Sequence, residues 1–274
     1  MPALKFSVVT PSLNHKAFLE QNIRSVLDQK SPNLEHIIVD GGSTDGTLDL
    51  LKSFPHLRWT SEPDRGQAHA LNKGFRKATG DIVGWLNSDD SYAPGAFAAV
   101  SPFFEDPAVM VVYGDACETD VEGRVLRTRT SKGISERSFV EYWWWRYEYT
   151  QPSIFVRKQV FDEVGFLDEH LYYVMDHEWL IRLIRRYRFT YVPAVLSNYR
   201  LHAESKTGRA AQPLVPPSVW ELHRVSRRFW GSALTRGFYR HACSFAAGIL
   251  FSLIKNLFLV RGSKLREYIG RREM

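Results

Sequence analysis

Residues 82–90 read Ile-Val-Gly-Trp-Leu-Asn-Ser-Asp-Asp, an apolar run that ends in two adjacent carboxylates, Asp89 and Asp90. Adjacent carboxylates repel each other, and two arrangements relieve this. One is a divalent cation; the other is a turn in which one carboxylate caps the next helix. We read a mixture, with Asp89 on the metal and Asp90 bonded locally or behind it. Oxygen donors of this kind suit Mg²⁺ or Mn²⁺. Such cations keep waters and hold substrate phosphates, so the metal brings a diphosphate with it. The chain has no Gly-x-x-x-x-Gly-Lys-Ser/Thr loop, and no Gly-x-Gly-x-x-Gly follows its first strand. The diphosphate would therefore be held through a metal rather than by a glycine-rich helix start.

The flanking sequence predicts elements that place these groups. Phe6–Thr10, His36–Asp40, Leu57–Thr60, Asp81–Leu86 and Val109–Tyr113 read as strands. Between them, Leu19, Ile23, Val26 and Leu27 recur at helical spacing, as do Ala68, Leu71, Phe75 and Ala78. Asp45 is placed to cap a short helix carrying Leu48 and Leu51, and Pro94 stands where another can begin. Alternating strands and helices imply a doubly wound, mainly parallel α/β sheet, which binds ligands beyond the carboxyl ends of its strands. Thr10, Asp40, Glu62 and Asn87–Asp90 then share one rim. Downstream, 111–119 and 124–130 flank a hairpin turn, and Ser153–Val156 is strand-like. Asp176 opens a helix, and Phe189–Val192 and Val195–Tyr199 read as two short strands.

The chain has 274 residues and a net charge of +6. The basic excess lies beyond Arg200, next to the apolar run 247–260, while the first 199 residues are slightly acidic. Lys255 and Asn256 interrupt that run, so an interfacial helix on an anionic membrane fits it better than a spanning one; a helix packed on the domain is the alternative. Cys117 and Cys243 form neither a disulfide framework nor a zinc site, and with no signal peptide read at the N-terminus the expected place is cytoplasmic.

Seven stretches, taken in order, resemble an inverting family 2 glycosyltransferase. They are VVTPSLNHKAFLEQNIRSVLDQ (8–29), IIVDGGSTDGT (37–47), SEPDRGQAHALNKGF (61–75), GDIVGWLNSDDSYAPGA (80–96), QPSIFVRKQVFDEVGFLDE (151–169), VMDHEWLIRL (174–183) and YRLHAESKTG (199–208). The resemblance implies an A-type glycosyltransferase fold, a Rossmann-like mixed sheet with helices on both faces. Residues 1–208 would be the catalytic domain, with a nucleotide-sugar half to about 115 and an acceptor half from 116. Residues 209–274 would be a helical C-terminal extension.

The resemblance also implies roles. Thr10 and Pro11 would line the base and ribose pocket, and Asp40 would accept from the base or serve as a turn residue before Gly41. Arg65 would reach the ribose or diphosphate, or pair with Asp64. Asn72, Asn87 and Ser88 fall on the donor side, near Lys73. The family's metal motif is often Asp-x-Asp; Asn87 in the first place leaves Asp89 as the main anionic ligand. His202 would complete the metal shell or touch the diphosphate, and Lys206 could neutralise the leaving diphosphate. The family's general base sits in a Glu-Asp pair at a helix start. Met175-Asp176 stands there, so Asp176 is the base or a helix N-cap, with Glu178 second. Gln151, Glu178 and the aromatic run 142–149 with Trp145 would form an acceptor groove. The donor would be a UDP sugar, with GDP or dTDP as alternatives, and the acceptor a glycan or lipid-linked sugar in cell-surface polysaccharide or glycoconjugate synthesis; no nucleic acid is implied.

Two rivals are weaker. A nucleotidyltransferase making the nucleotide sugar would need a glycine-rich, basic signature near the first strand, and Pro11–His15 does not provide it. A non-catalytic nucleotide-sugar-binding protein has no need of Asp40, Asp89 and Asp176 together.

Overall fold

The computed structural model describes residues 4–141, 149–206, 217–251 and 254. The chain forms two compact units, 1–136 with 147–202, and 137–146 with 203–274.

The first unit is built on a sheet of nine strands. Parallel strands β1 (Phe6–Ser12), β2 (Leu34–Asp40), β3 (Arg58–Ser61) and β4 (Ile82–Trp85) form one part of it. β5 (Ser91–Tyr92), β6 (Val111–Thr119), β7 (Val125–Arg129), β8 (Ile154–Arg157) and β9 (Phe189–Arg200) complete it. The order is β3-β2-β1-β4-β8-β6-β9-β5, with β7 paired to β6. β8 runs antiparallel between β4 and β6, while β6 and β9 are parallel. Its helices are α1 (Lys16–Leu27), α2 (Thr47–Lys52), α3 (Gln67–Lys77), α4 (Ala96–Val100), α6 (Val160–Val164) and α7 (Met175–Arg186), while α5 (Glu136–Val140) falls in the second unit from Arg137 on.

β1, β2 and β4 are buried along almost their whole length, which is why they read as unbroken apolar runs rather than alternating ones. One core layer joins Phe6, Phe97, Tyr92 and Phe155, with Phe6 stacked on Phe97 at 4.5 Å between centroids. Another joins Leu19 and Ile23 of α1 to Ile38 and Leu51. α3 lies close against β1 because Gly74 has no side chain; a Cβ there would come within 2.3 Å of Val9 Cγ1.

Two expectations are corrected. The two short strands around 189–199 are one strand, β9, whose register against β6 shifts between Gly114 and Ala116 as it passes the exposed Pro193. α4 starts at Ala96 after Gly95, whose φ of 76° suits glycine, and not at Pro94.

In the second unit, a helix at Pro217–Phe229 turns into a helix over 236–251. His223 stacks on Phe245 at 3.9 Å, and Trp230 meets Phe238 at 5.8 Å, so the two helices pack through aromatic rings. Glu141 is fully buried in this unit, in ion-pair contact with Arg137, Arg240 and His241. Among the described residues no helix is long and apolar enough to cross a membrane.

Candidate active site

The strand ends of the first unit converge as the alternation of elements requires. Leu86 continues the pairing to Val9, and the chain then turns, Asp90 N–H donating to the Asn87 carbonyl at 3.0 Å. Asn22 of α1 clamps this turn by donating to the carbonyls of Asn87 (2.7 Å) and Asp90 (3.0 Å). The Asn87 side-chain oxygen accepts from Gln67 and from the Trp85 indole, both at 2.7 Å. Ser88 Oγ contacts His15 Nδ1 at 2.7 Å.

The two carboxylates have different surroundings. Asp90 is 2% exposed and accepts from the Arg200 N–H at 3.0 Å, with Asn87 at 3.4 Å. Burial pushes its carboxyl well above the usual range, and the Asp89 charge pushes the same way, against those two donors. Both effects favour the neutral form of Asp90, which eases the repulsion between the adjacent acids. Asp89 keeps partial exposure, and its Oδ2 lies 3.0 Å from His202 Nε2. The His202 ring packs 5.0 Å from Phe18 and 6.2 Å from His15. Arg200 lies 5.0 Å over Phe18 and donates to the Asp89 carbonyl at 2.9 Å, which fixes the chain just before His202.

This pair fits a divalent cation. A carboxylate oxygen and an imidazole nitrogen converge at one place, and both are ligands that Mn²⁺ accepts. No group of three or more His, Cys, Asp or Glu side chains suited to a metal occurs among the described residues. Asp89 and His202 would hold such a cation, and its other positions would fall to phosphate oxygens and water.

Asp176 is the second residue of α7; Val174 holds the cap position without a side-chain bond, so Asp176 is not the N-cap. Tyr149 Oη donates to Asp176 Oδ2 at 3.0 Å. Asp176 lines a narrow, mostly apolar cavity together with Trp85, Gln151, Phe75 and Trp179. Gln151 joins this cavity to the strand end: it donates to the Trp85 carbonyl at 2.7 Å and accepts from Asn87 at 3.3 Å.

Several expected ligand-binding side chains are engaged elsewhere. Thr10 is fully buried and contacts His36 Nε2 at 2.9 Å. Asp40 is fully buried as well, and accepts from Gly42, Ser43 and Ser61, which makes it a turn residue. Pro11 is buried in β1. Asn72 locks α3 to Leu167 and Glu169. Arg65 is exposed and pairs with Glu169 at 2.6 Å rather than with Asp64. Lys73 pairs with Glu62 at 2.7 Å.

Glu178 is engaged within its own helix. It is 6% exposed and gripped by Arg182 at 2.8–3.0 Å, while Arg182 also donates to the Val164 and Phe166 carbonyls. Helical spacing puts Arg182 one turn on from Glu178, so the pair closes within α7. Lys206 belongs to the second unit. Trp145 and the aromatic run 142–148 lie outside the described residues.

Residues 7–167 match the sequence model of Glycosyl transferase family 2. The chain belongs to this family. Among its relatives is a putative teichuronic acid biosynthesis glycosyltransferase, TuaG, of Bacillus subtilis, 42% identical over 92 residues, 31% of this chain and 36% of that protein. A PGL/p-HBAD biosynthesis glycosyltransferase of Mycobacterium tuberculosis is 38% identical over 122 residues, 42% of this chain and 48% of that one. The match thus spans between a third and a half of these relatives' length. S. aureus TarS 1–349 in complex with UDP-GlcNAc superposes with a TM-score of 0.66 at 17% identity, covering 90% of this chain and 72% of that one. The mannosyltransferase PcManGT from Pyrobaculum calidifontis, in complex with GDP-Man and Mn²⁺, gives 0.56 at 22% identity, with coverages of 98% and 82%. At such identities the likeness shows the fold, the A-type glycosyltransferase fold.

In this family 2 chain, His15, Asn22, Gln67 and Arg200 also shape the site, with no role predicted for them from sequence. His15 and Asn22 sit inside a helix-forming stretch and carry no spacing signal of their own. Arg200 had one, since it stands two residues before His202 at the end of an apolar run.

Proposed function

We propose that the chain is an inverting, metal-dependent glycosyltransferase. It would move a sugar from a nucleoside diphosphate to a hydroxyl of a glycan or lipid-linked acceptor, in the synthesis of cell-surface polysaccharide or glycoconjugate. The observation that carries this reading is the contact of Asp89, beyond β4, with His202, beyond β9, two groups of metal-ligand type. The family membership and the teichuronic acid and glycolipid relatives support the substrate class.

In this reading Asp89 and His202 hold Mn²⁺ or Mg²⁺, which when bound supplies positive charge to the leaving diphosphate. Asn87 and Ser88 bond the donor, and Arg65 meets its ribose or phosphates from the surface. Asp176 takes the proton of the acceptor hydroxyl as its oxygen bonds to the anomeric carbon. The bond from that carbon to the diphosphate breaks, and the configuration inverts. Its place in the first turn of α7 favours the charged carboxylate that a base requires. Thr10, Asp40 and Asn72 hold the floor of the site in place rather than touching the donor. Glu178 holds α7 in place.

UDP is the first candidate nucleotide and GDP the second. Calorimetry of the purified chain with UDP, GDP and dTDP sugars, with Mn²⁺ and after chelation, tests the reading. We expect one nucleotide to bind, and to bind more tightly with Mn²⁺. Equal or absent binding of all three in both conditions would overturn it.

A further inference from the structure

The second unit presents an apolar surface that water does not favour. In the helix over 236–251 the inner positions Phe238, His241 and Phe245 pack on the rings of the preceding helix. The outer face should then be polar, and it is not. Tyr239, Cys243, Ala247, Leu250 and Phe251 are all exposed and recur at helical spacing, and Ile254 continues the series. Leu250 is 59% and Phe251 65% exposed. Beyond Arg240 this helix is therefore apolar on both faces.

The charge beside the stripe points to its partner. The exposed face of the helix Pro217–Phe229 carries Trp220, Arg224, Arg227 and Arg228, and Arg236 is exposed on the second helix, where Arg240 pairs with the buried Glu141. The one acid of the two helices, Glu221, is buried and lies 3.7 Å from Arg224. Exposed aliphatic and aromatic side chains bordered by arginine, without acids, match an interface of acyl chains and anionic headgroups. A second copy of the same surface would bring like charges together. Tryptophan and arginine also suit the boundary itself, where an apolar body and a polar tip meet different media.

We propose that this helical hairpin is a membrane-docking surface, with the stripe from Tyr239 to Ile254 entering the interface of an anionic bilayer and the arginines meeting its headgroups. The proposal does not depend on the donor site or on any transferase activity.

Vesicle flotation of the full chain tests it. Vesicles of phosphatidylcholine alone are compared with vesicles containing about 30 mol% phosphatidylglycerol. We expect flotation with the anionic vesicles only, weakened by high salt. Leu250→Glu with Phe251→Glu should lower the bound fraction by about tenfold or more. Arg228→Glu with Arg236→Glu, on exposed positions of the two helices, should do the same, with the melting temperature measured alongside to show that the variant is folded. No flotation, equal flotation on both vesicle types, or variants that bind like the parent would each overturn the proposal. So would a dimer in solution that Leu250→Glu/Phe251→Glu converts to monomer, which assigns the stripe to a second copy. Binding that arises only after removal of residues 255–274 would assign it to the chain's own end instead.

Discussion

Asp89 Oδ2 and His202 Nε2 stand 3.0 Å apart although 113 residues separate them in the chain. Both side chains are needed if they share a cation, but unequally, because only Asp89 brings charge. Asp89→Ala should abolish the gain in nucleotide affinity on adding Mn²⁺. His202→Ala should reduce that gain by about tenfold and leave part of it. Calorimetry with and without Mn²⁺ reads both. A purely structural contact would leave the metal effect intact in both variants.

Asp176 and Tyr149 make a second pair, at 3.0 Å. A base acts on the acceptor and not on the nucleotide. Asp176→Asn should therefore lower kcat by about 10²- to 10⁴-fold while the Kd for the nucleotide stays within about twofold. Single-turnover transfer and nucleotide titration on the same preparation check this. Turnover close to the parent's would remove the base assignment.

Glu178 and Arg182 should matter for stability. Breaking a buried ion pair strands the remaining charge, so Glu178→Ala should cost about 3 kcal/mol in denaturant unfolding. The KM for the acceptor, measured at a temperature where the variant is folded, should not change. A raised acceptor KM with unchanged stability would return Glu178 to the acceptor groove.

Acid should weaken the first unit through two neighbours on β2. Burial acts against the Glu35 carboxylate, but hydrogen bonds from Ser7, Thr79 and Arg58 outweigh it and lower its pKa to about 2 from 4.5. That stabilisation, about 2–3 kcal/mol, is complete above pH 4.5 and lost as pH falls towards 2. Burial, with a smaller push from His56, lowers His36 to about 3 from 6.5, so the unfolded chain binds that proton first. Folding then weakens as pH falls from 6.5 towards 3. Urea unfolding from pH 7 down to pH 3 should show stability declining throughout, and Glu35→Gln should flatten the lower part. A flat parent profile would contradict both assignments.

The parallel strands β1 to β4 were legible because burial on both faces leaves plain apolar runs between helices of regular spacing. The metal-ligand candidates Asp89 and His202 were legible as residue types through the family motifs. Their meeting was legible only through that resemblance, because pairing along a sheet joins residues that local pattern leaves unrelated. β9 was misread as two strands because Pro193 breaks the pattern while the pairing continues past it. Side-chain targets were the least legible. Nothing local distinguishes an Asp40 that closes its own turn from one that awaits a ligand, or tells that Arg65 reaches Glu169 across 104 residues.

The position of β8 between β4 and β6 has a consequence for how the molecule is made. A chain released after about residue 115 would lack the strand that β4 and β6 both pair with, and would expose two ladder edges in its middle. The ribosome must deliver β9 and His202 before the pocket closes. Nascent fragments should therefore be substrates for chaperones and proteases, and cutting the gene into a donor piece and an acceptor piece should give two insoluble products rather than two half-enzymes.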